Sequence, residues 1–343
     1  MRRLPSWLAP SALALALAAP AAAAASLQRV VGSTVMTALA GPPQASFLAR
    51  VRNGEVGGVI LVGHWRSSAQ MATVARRLQS AACERGGPLL IGVDQEGGWA
   101  RRLPWAAPAE TAGELAGLGT AHAETEARAA AAALRRAGID IDFAPVTDTR
   151  LVQHNFLGGR AFSSDPAVVA RFAAAFVRGL QAGGVAATAK HFPGLGAATA
   201  NTDDHAVSVR ETRLQPFRSA IAAGAQLVMV SNASYPKLDG SDLPAVFSHT
   251  IVTGLLRGSL GFGGVVVTDA LDAPTPAATL HAPAREIEAG VDLLLYTSGS
   301  AADRGYASLL QDATGSARLR AQVVAASARI QALKDWLGKR CGS

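Results

Sequence analysis

The sequence predicts a single α/β domain built as a (β/α)8, TIM-like barrel that is irregular in places. Short apolar runs rich in Val, Ile and Leu alternate along the chain with longer segments of helical periodicity. These runs lack polar alternation, which indicates strands buried on both faces, as in a parallel sheet. Their alternation with helices indicates βα units. The length that follows residue 25 is ordinary for one such barrel.

The first 25 residues are expected to be a secretory signal peptide and not part of the fold. Arg2 and Arg3 precede a short Leu- and Ala-rich run that ends in small residues, the order that such peptides share. A retained N-terminal anchor is the alternative, although the run is short for a transmembrane helix. We expect one domain over residues 26–343, exported to the cell envelope or the medium. No stable membrane insertion is expected after cleavage.

Seven segments are predicted to be barrel strands, and an eighth is a weaker candidate. A doubly wound open sheet is the alternative arrangement. It has less support because no strand is followed by a Gly-x-Gly-x-x-Gly helix start. The predicted strands are residues 57–64, 88–94, 139–146, 185–191, 227–232, 264–269 and 291–296, with 244–248 as the weak candidate.

The basic residues are dispersed along the chain, which argues against binding to nucleic acid. The formal charge of +7 becomes +5 once Arg2 and Arg3 leave with the signal peptide. A nucleic-acid-binding protein is expected to cluster its cations in a patch or stripe. The excess charge instead indicates solubility and weak attraction to anionic surroundings. Nothing in the sequence indicates an oligomeric state.

Polar side chains follow the predicted strands at the points where the strands end. Asp94, Asp148, Lys190 and Asp269 each stand at such a junction. In an α/β barrel these ends converge on one mouth, where active sites lie. A single residue of this kind is more often a helix cap, but several in register indicate a site. Carboxylates combined with Lys, Arg and His suit a polyhydroxylated ligand, because they accept from and donate to hydroxyl groups.

Other reaction classes have weaker support in the sequence. The first predicted strand is not followed by the His-x-His pair of a barrel metallohydrolase. No Gly-x-Ser-x-Gly nucleophile elbow is present. We therefore expect a carbohydrate as the partner, with no metal and no cofactor.

Three motifs resemble those of family 3 glycoside hydrolases, and most closely the single-domain bacterial β-N-acetylhexosaminidases. They are "DQEGG" at 94–98, "KHFPGLG" at 190–196 followed by "DDH" at 203–205, and "LGFGGVVVTDAL" at 260–271. The similarity extends over about residues 30–335. It implies a retaining exo-hydrolase that removes terminal β-N-acetylglucosamine, often in peptidoglycan turnover.

The resemblance assigns catalytic roles to three residues. Asp269 matches the family's nucleophile, which forms a covalent glycosyl-enzyme intermediate in retaining chemistry. Its alternative role is that of a helix cap after a buried strand. His205 matches the general acid/base of this branch, with Asp203 as the partner that orients the ring. Asp204 competes for that orienting role. An imidazole can both give and take a proton near neutral pH.

Five further residues match the sugar-binding positions of the family. Carboxylates in this set would accept bonds from sugar hydroxyls, and Lys and Arg would donate. For His191 the alternative is a core residue that braces the loop, because neighbours on a strand point to opposite faces. The five residues are Asp94, Arg102, Arg160, Lys190 and His191.

Three positions depart from the usual pattern of the family. Trp99 stands where Arg is usual, Leu195 where His is common, and Ala270 where a second acid commonly follows the nucleophile. Two alternatives therefore stay open. One is a β-glycosidase or phosphorylase acting on another sugar, and the other is a non-catalytic glycan-binding envelope protein.

The two cysteines, Cys83 and Cys341, are expected to form a disulfide, which export permits. Cys83 ends the helix after the first predicted strand, and Cys341 lies just beyond the last helical segment. The first and last helices of a closed barrel are neighbours. The alternative is a buried Cys83 with a free Cys341 on a frayed tail.

Overall fold

Eight parallel strands form a ring in the computed structural model, which describes residues 26–63, 65–84, 86–273 and 282–342. The predicted signal peptide, residues 1–25, lies outside the described residues. The strands are β1 (Val35–Leu39), β2 (Gly58–Leu61), β3 (Leu90–Val93), β6 (Ile141–Asp142), β7 (Ala186–Phe192), β8 (Leu227–Val230), β9 (Val265–Thr268) and β10 (Leu294–Tyr296). A short antiparallel hairpin of β4 (Gln95–Gly97) and β5 (Ala100–Arg101) stands outside the ring.

The ring closes through its two terminal strands. The spatial order is β10-β1-β2-β3-β6-β7-β8-β9. A parallel bridge between Val267 and Leu293 then joins β9 to β10. The barrel is irregular at β6, where only two residues pair, and in β7, where the register with β8 shifts between Ala189 and Phe192. The predicted (β/α)8 barrel is thus confirmed.

Helices connect the strands and cover the outside of the ring. No helix within the described ranges is both long and apolar enough to cross a membrane. The helices are α1 (26–33), α2 (Ala45–Asn53), α3 (Ser68–Cys83), α4 (Ala112–Leu118), α5 (Thr120–Arg136), α6 (Pro166–Ala182), α7 (Gln215–Ala222), α8 (Pro236–Asp239), α9 (Thr250–Ser259, a π-helix), α10 (Pro283–Ala289), α11 (Gly299–Gly315) and α12 (Ala317–Trp336).

Seven predicted strands overlap barrel strands, but the weak candidate at 244–248 is wrong. Residues Ala245–Phe247 form a single 3-10 turn. Pro244 has no N–H for a strand ladder, and the Ser248 hydroxyl accepts a hydrogen bond from the Ile251 N–H at 3.1 Å, at the start of α9. The eighth strand is β1, which the sequence pattern did not reveal.

Apolar side chains fill the inside of the barrel. Gly92 on β3 makes room for the largest of them, because a Cβ at Gly92 would lie 2.6 Å from Cε2 of the Phe143 ring. The interior is therefore a packed core and not a pore, as is usual for this fold. The inward-facing cluster includes Met36, Ile60, Leu90, Ile141, Phe143, Leu227, Met229, Val265, Val267, Leu293 and Leu295.

The last helix closes the bottom of the barrel, where the strands begin. Ile330, Leu333 and Leu337, at the end of α12, belong to the inward-facing cluster. Arg329 Nε lies 2.7 Å from Oδ1 of Asp292, which precedes β10. Farther along the chain, Lys339 Nζ lies 2.6 Å from Oδ2 of Asp140, which precedes β6. The segment thus crosses the bottom face and leaves the opposite end open.

Cys83 and Cys341 are joined by a disulfide, with their Cα atoms 5.5 Å apart. The two cysteines meet for a different structural reason from the one that the sequence suggested. Cys83 ends α3, which follows the second strand of the barrel, so the first and last helices are not the elements that meet. The residues after α12 reach Cys83 because they run across the bottom of the barrel. The bond therefore lies at the end away from the strand C-termini.

Candidate active site

The C-terminal ends of the strands surround a cavity of about 490 Å³. Its base is apolar, because Ile60, Met229 and Leu295 line it and also belong to the inward-facing cluster. Every predicted catalytic and sugar-binding residue lines this cavity except His205. Those residues are Asp94, Arg102, Arg160, Lys190, His191, Asp203 and Asp269.

Four charged side chains form one buried network along the cavity wall. Lys190 Nζ lies 2.7 Å from Asp94 Oδ1 and 2.7 Å from Glu96 Oε1. Arg160 donates two hydrogen bonds to Glu96, from Nε to Oε2 at 2.7 Å and from its Nη2 to Oε1 at 2.9 Å. Such charge-assisted, paired hydrogen bonds are shorter and stronger than neutral ones. The network therefore holds Lys190 and Asp94 in fixed positions at the cavity surface.

The network keeps Glu96 and Lys190 charged. Burial alone would raise the pKa of Glu96, but the positive charges of Lys190 and Arg160 outweigh it and lower that pKa to about 2. Burial would likewise lower the pKa of Lys190, but the carboxylates of Asp94 and Glu96 raise it to about 12. Around neutral pH the wall thus presents an ammonium and carboxylates, which donate to and accept from hydroxyl groups.

The Gln95 side chain anchors the hairpin that carries Glu96. Its Nε2 donates to the carbonyl oxygens of Leu103, Ala106 and Ala107 at 3.0–3.1 Å. Its Oε1 accepts from the Leu103 N–H at 3.0 Å. Because Gln95 is fully buried, these bonds have no competition from water. Side chains of the hairpin that point the other way, toward the cavity, are therefore firmly placed.

His191 also faces the cavity, through a pairing with buried Asp148. Its Nδ1 lies 2.8 Å from Asp148 Oδ2, which leaves Nε2 for the cavity. Asp148 also accepts from the backbone N–H of His191 at 3.2 Å and of Leu195 at 2.6 Å. The register of β7 with β8 shifts between Ala189 and Phe192, so the regular alternation of side chains is interrupted at Lys190 and His191. Lys190 and His191 both line the cavity, although they are neighbours in sequence.

Two carboxyl groups, Asp269 and Asp203, line the cavity from different loops. Asp269 directly follows β9; its N–H donates to the Val230 carbonyl at 2.9 Å, and its Oδ1 accepts from the Ala270 N–H at 2.9 Å. Burial, and then the negative charge of Asp269, raise the pKa of Asp203. Asp203 and Asp269 thus share one cavity, although they come from segments far apart in the chain.

His205 lies outside the cavity and is exposed in this structure. Its turn is organised by Asn201, whose carbonyl oxygen accepts from the His205 N–H at 3.0 Å and from the Asp204 N–H at 3.2 Å. The Asn201 amide also lies 3.3 Å from Asp203 Oδ2. The turn thus directs Asp203 toward the cavity and holds His205 at the surface. The acid/base role of His205 stays a prediction.

The sequence placed two buried acids, Glu96 and Asp148, at strand ends but assigned neither of them a catalytic or sugar-binding role. Glu96 was within the "DQEGG" motif, and its spacing of two residues from Asp94 could have indicated a shared face. Asp148 stood at a strand end, but its pairing with His191 depends on loop geometry that no local pattern reveals. In the described part of the chain, no group of three or more His, Cys, Asp or Glu side chains is arranged to hold a metal ion.

A family model described as the glycosyl hydrolase family 3 N-terminal domain matches residues 30–333. The chain belongs to glycosyl hydrolase family 3. A beta-hexosaminidase of Stenotrophomonas maltophilia is 39% identical to it over 266 residues, which cover 71% of this chain and 77% of the relative. The expected family resemblance is thus confirmed.

Solved structures give the same result. The beta-N-acetylhexosaminidase of Beutenbergia cavernae superposes with a TM-score of 0.84 at 35% identity, covering 90% of this family 3 chain and 98% of its own. A family 3 beta-N-acetylglucosaminidase from Paenibacillus superposes with a TM-score of 0.83 at 32% identity over 91% of this chain. The present chain spans only 62% of the Paenibacillus protein.

Proposed function

We propose that this family 3 member is a retaining exo-β-N-acetylglucosaminidase that acts on glycans such as peptidoglycan fragments. The names of its Stenotrophomonas, Beutenbergia and Paenibacillus relatives support this activity. One structural observation carries the proposal: Asp269 and the Lys190 network meet in a single cavity whose base is closed by the barrel core. A cavity closed at one end admits the end of a glycan and not its middle.

The terminal sugar is held by the polar wall in this proposal. Asp94 accepts hydrogen bonds from ring hydroxyls, and Lys190 donates to them. Arg102 has no hydrogen bond or ion pair from its side chain within the described residues, so its donors are available to a ligand. His191 presents Nε2 to the same space. Glu96 and Arg160 hold Lys190 in place from behind.

Asp269 is the nucleophile of the proposed reaction. One carboxylate oxygen forms a bond to the anomeric carbon while the bond from that carbon to the leaving oxygen breaks. An acid delivers a proton to the leaving oxygen. In the second step water gives a proton to the same group, now a base, and its oxygen displaces Asp269 from the anomeric carbon. Two inversions at one carbon give overall retention.

His205 is the proposed acid/base, with Asp203 as the residue that orients it. The Gly-, Ala- and Thr-rich loop before it would have to carry the imidazole to the cavity, because His205 is exposed in this structure. Burial and the negative charge of Asp269 raise the pKa of Asp203. An imidazolium beside Asp203 would act in the opposite direction and favour the ionised form of Asp203.

The His205→Ala variant is expected to slow substrates with poor leaving groups by about 10²–10⁴-fold, the usual contribution of general acid–base catalysis. Aryl glycosides with good leaving groups should be affected less in the first step, because they need little protonation. The measurement is kcat/KM for a series of N-acetylglucosaminides with leaving groups of graded pKa. His249→Ala, at an exposed site away from the cavity, is the control.

The same series also tests the competing assignment. If Asp203→Asn changes the dependence on the leaving group and His205→Ala does not, Asp203 is the acid. Equal slowing of every substrate by His205→Ala would contradict the proposed role of His205. A steeper dependence in His205→Ala than in the wild type would support it.

The overall activity is tested with N,N′-diacetylchitobiose and with a β-glucoside, each in buffers with and without inorganic phosphate. The proposal expects N-acetylglucosamine in both buffers. Formation of the sugar 1-phosphate would identify a phosphorylase, and turnover of glucosides alone would identify another β-glycosidase. Binding without turnover of any glycoside would identify a non-catalytic glycan-binding protein.

We further propose that the protein works outside the cytoplasm. The arrangement of Arg2, Arg3, the apolar run and the small residues before residue 26 supports export. The disulfide between Cys83 and Cys341 is consistent with it, because disulfides persist mainly in oxidising compartments. N-terminal sequencing of the protein recovered from the envelope or medium tests this, with cleavage expected near residue 25.

A further inference from the structure

Trp99 is the most exposed of the large hydrophobic side chains in the described part of the chain. Its exposed fraction is 68%, and it lines the same cavity as Asp94 and Asp269. The other exposed large apolar residues, Leu118, Val324 and Trp336, do not line this cavity. Isolated apolar residues on a surface need no explanation. Exposure of a large aromatic ring to water at the edge of a polar cavity is unfavourable in free energy, and a ligand that covers the ring would remove this cost.

The segment before Trp99 is tightly packed. Gly97 has φ +106°, and a Cβ there would lie 2.3 Å from the Glu110 carbonyl oxygen. Gly98 has φ +55°, and a Cβ there would lie 2.4 Å from Thr111 Cγ2. Only glycine fits both positions. The backbone that carries Trp99 is therefore fixed against the neighbouring segment, in addition to the Gln95 hydrogen bonds.

The cavity has different chemistry at its two ends. The buried Lys190 network and the apolar base lie at the inner end of the cavity. Trp99 contributes an indole that is mostly in solvent, and partly buried Phe156 adds a second aromatic ring to the lining. A substrate whose terminal sugar fills the deep end can reach Trp99 only with the part that extends outward.

We propose that Trp99 is the stacking surface of a subsite for the leaving group, and that the group it takes is a pyranose ring. This inference rests on the proposed function. A pyranose presents an apolar face of C–H bonds, which packs on a flat indole, and its hydroxyls stay at the edge in water. An aromatic ring has few rotatable bonds and contributes a large contact area. The subsite selects substrates with a sugar beyond the scissile bond over those with a small group there.

The test compares two substrates that differ only beyond the scissile bond, methyl β-N-acetylglucosaminide and N,N′-diacetylchitobiose. Trp99→Ala is expected to lower kcat/KM for the disaccharide about tenfold, which corresponds to about 1.4 kcal/mol, mainly through KM. The methyl glycoside should change less than about twofold. Trp99→Phe should retain most of the disaccharide preference. Trp336→Ala, which removes an exposed indole at the end of α12, should change neither substrate.

Equal losses on both substrates, or no loss on either, would overturn the proposal. Calorimetric titration with the disaccharide in the Asp269→Asn background, where it is not cleaved, gives a second readout that does not require turnover. Weaker disaccharide binding when Trp99→Ala is added to Asp269→Asn supports the subsite even if the wild type hydrolyses neither substrate, in which case only the proposed function fails. Unchanged binding on addition of Trp99→Ala, or no binding by Asp269→Asn, overturns the subsite.

Discussion

Substitution of Asp269 by Asn is expected to lower kcat on the order of 10⁴-fold or more, because the covalent intermediate can no longer form. An amide has nearly the shape of a carboxylate but is a poor nucleophile. Asn at this position can still accept the Ala270 N–H hydrogen bond through its carbonyl oxygen. The fold should therefore survive, and the loss should appear in turnover and not in the unfolding curve.

The measurement is steady-state hydrolysis of an aryl N-acetylglucosaminide, with circular dichroism as a check of the fold. Asp312→Asn provides a matched control, because Asp312 is exposed on α11 and does not line the cavity. Turnover by Asp269→Asn within tenfold of the wild type would contradict the nucleophile assignment. It would leave Asp269 with a binding or capping role.

Substitution of Glu96 by Ala is expected to lower the free energy of unfolding by about 3–5 kcal/mol, the range seen when one partner of a buried ion pair is removed. Lys190 and Arg160 would lose their shared counter-ion at a buried position. Lys190 would also lose its fixed position, so KM should rise. Chemical denaturation and steady-state kinetics measure the two effects.

A surface pair of the same residue types is the control. Glu124 accepts from the exposed Arg178 at 2.9 Å, and exposed pairs contribute only about 0–1 kcal/mol. Glu124→Ala should therefore change the unfolding free energy by less than about 1 kcal/mol. Similar losses for Glu96→Ala and Glu124→Ala would contradict the account of the network.

The same network predicts a dependence on pH. The pKa of Glu96 is lowered from its ordinary value of 4.5 to about 2 in the folded protein. Its stabilising contribution is therefore present above pH 4.5 and is lost as the pH falls from about 4.5 toward 2. The stability difference between wild type and Glu96→Ala should narrow over that range.

Much of the fold could be predicted from the sequence, because buried parallel strands leave a strong pattern. Strand β1 was not predicted because "VMTAL" contains a central polar Thr37, which is buried on the outer side of the sheet and breaks the apolar run. Residues 244–248 were misassigned because "PAVFS" contains apolar side chains typical of a strand. Their local turn is determined by Pro244 and Ser248.

The site could be predicted in its composition better than in its geometry. Strand ends and motifs led to Asp94, Lys190, His191 and Asp269, all of which line the cavity. The position of His205 could not follow from sequence, because it depends on how the Asn201 turn sits on the barrel. The path of α12 across the bottom of the barrel could not be predicted from the sequence either. Both depend on contacts between residues far apart in the chain.

The proposed mechanism releases N-acetylglucosamine through two successive displacements at one carbon. Proton NMR of the hydrolysis of methyl β-N-acetylglucosaminide, whose leaving group is not a sugar, reports from the first minutes the anomer of N-acetylglucosamine as it leaves the enzyme and before it equilibrates in water. Two displacements predict that β-N-acetylglucosamine appears first and the α-anomer later. Initial release of the α-anomer would mean a single displacement by water and would contradict the proposed mechanism.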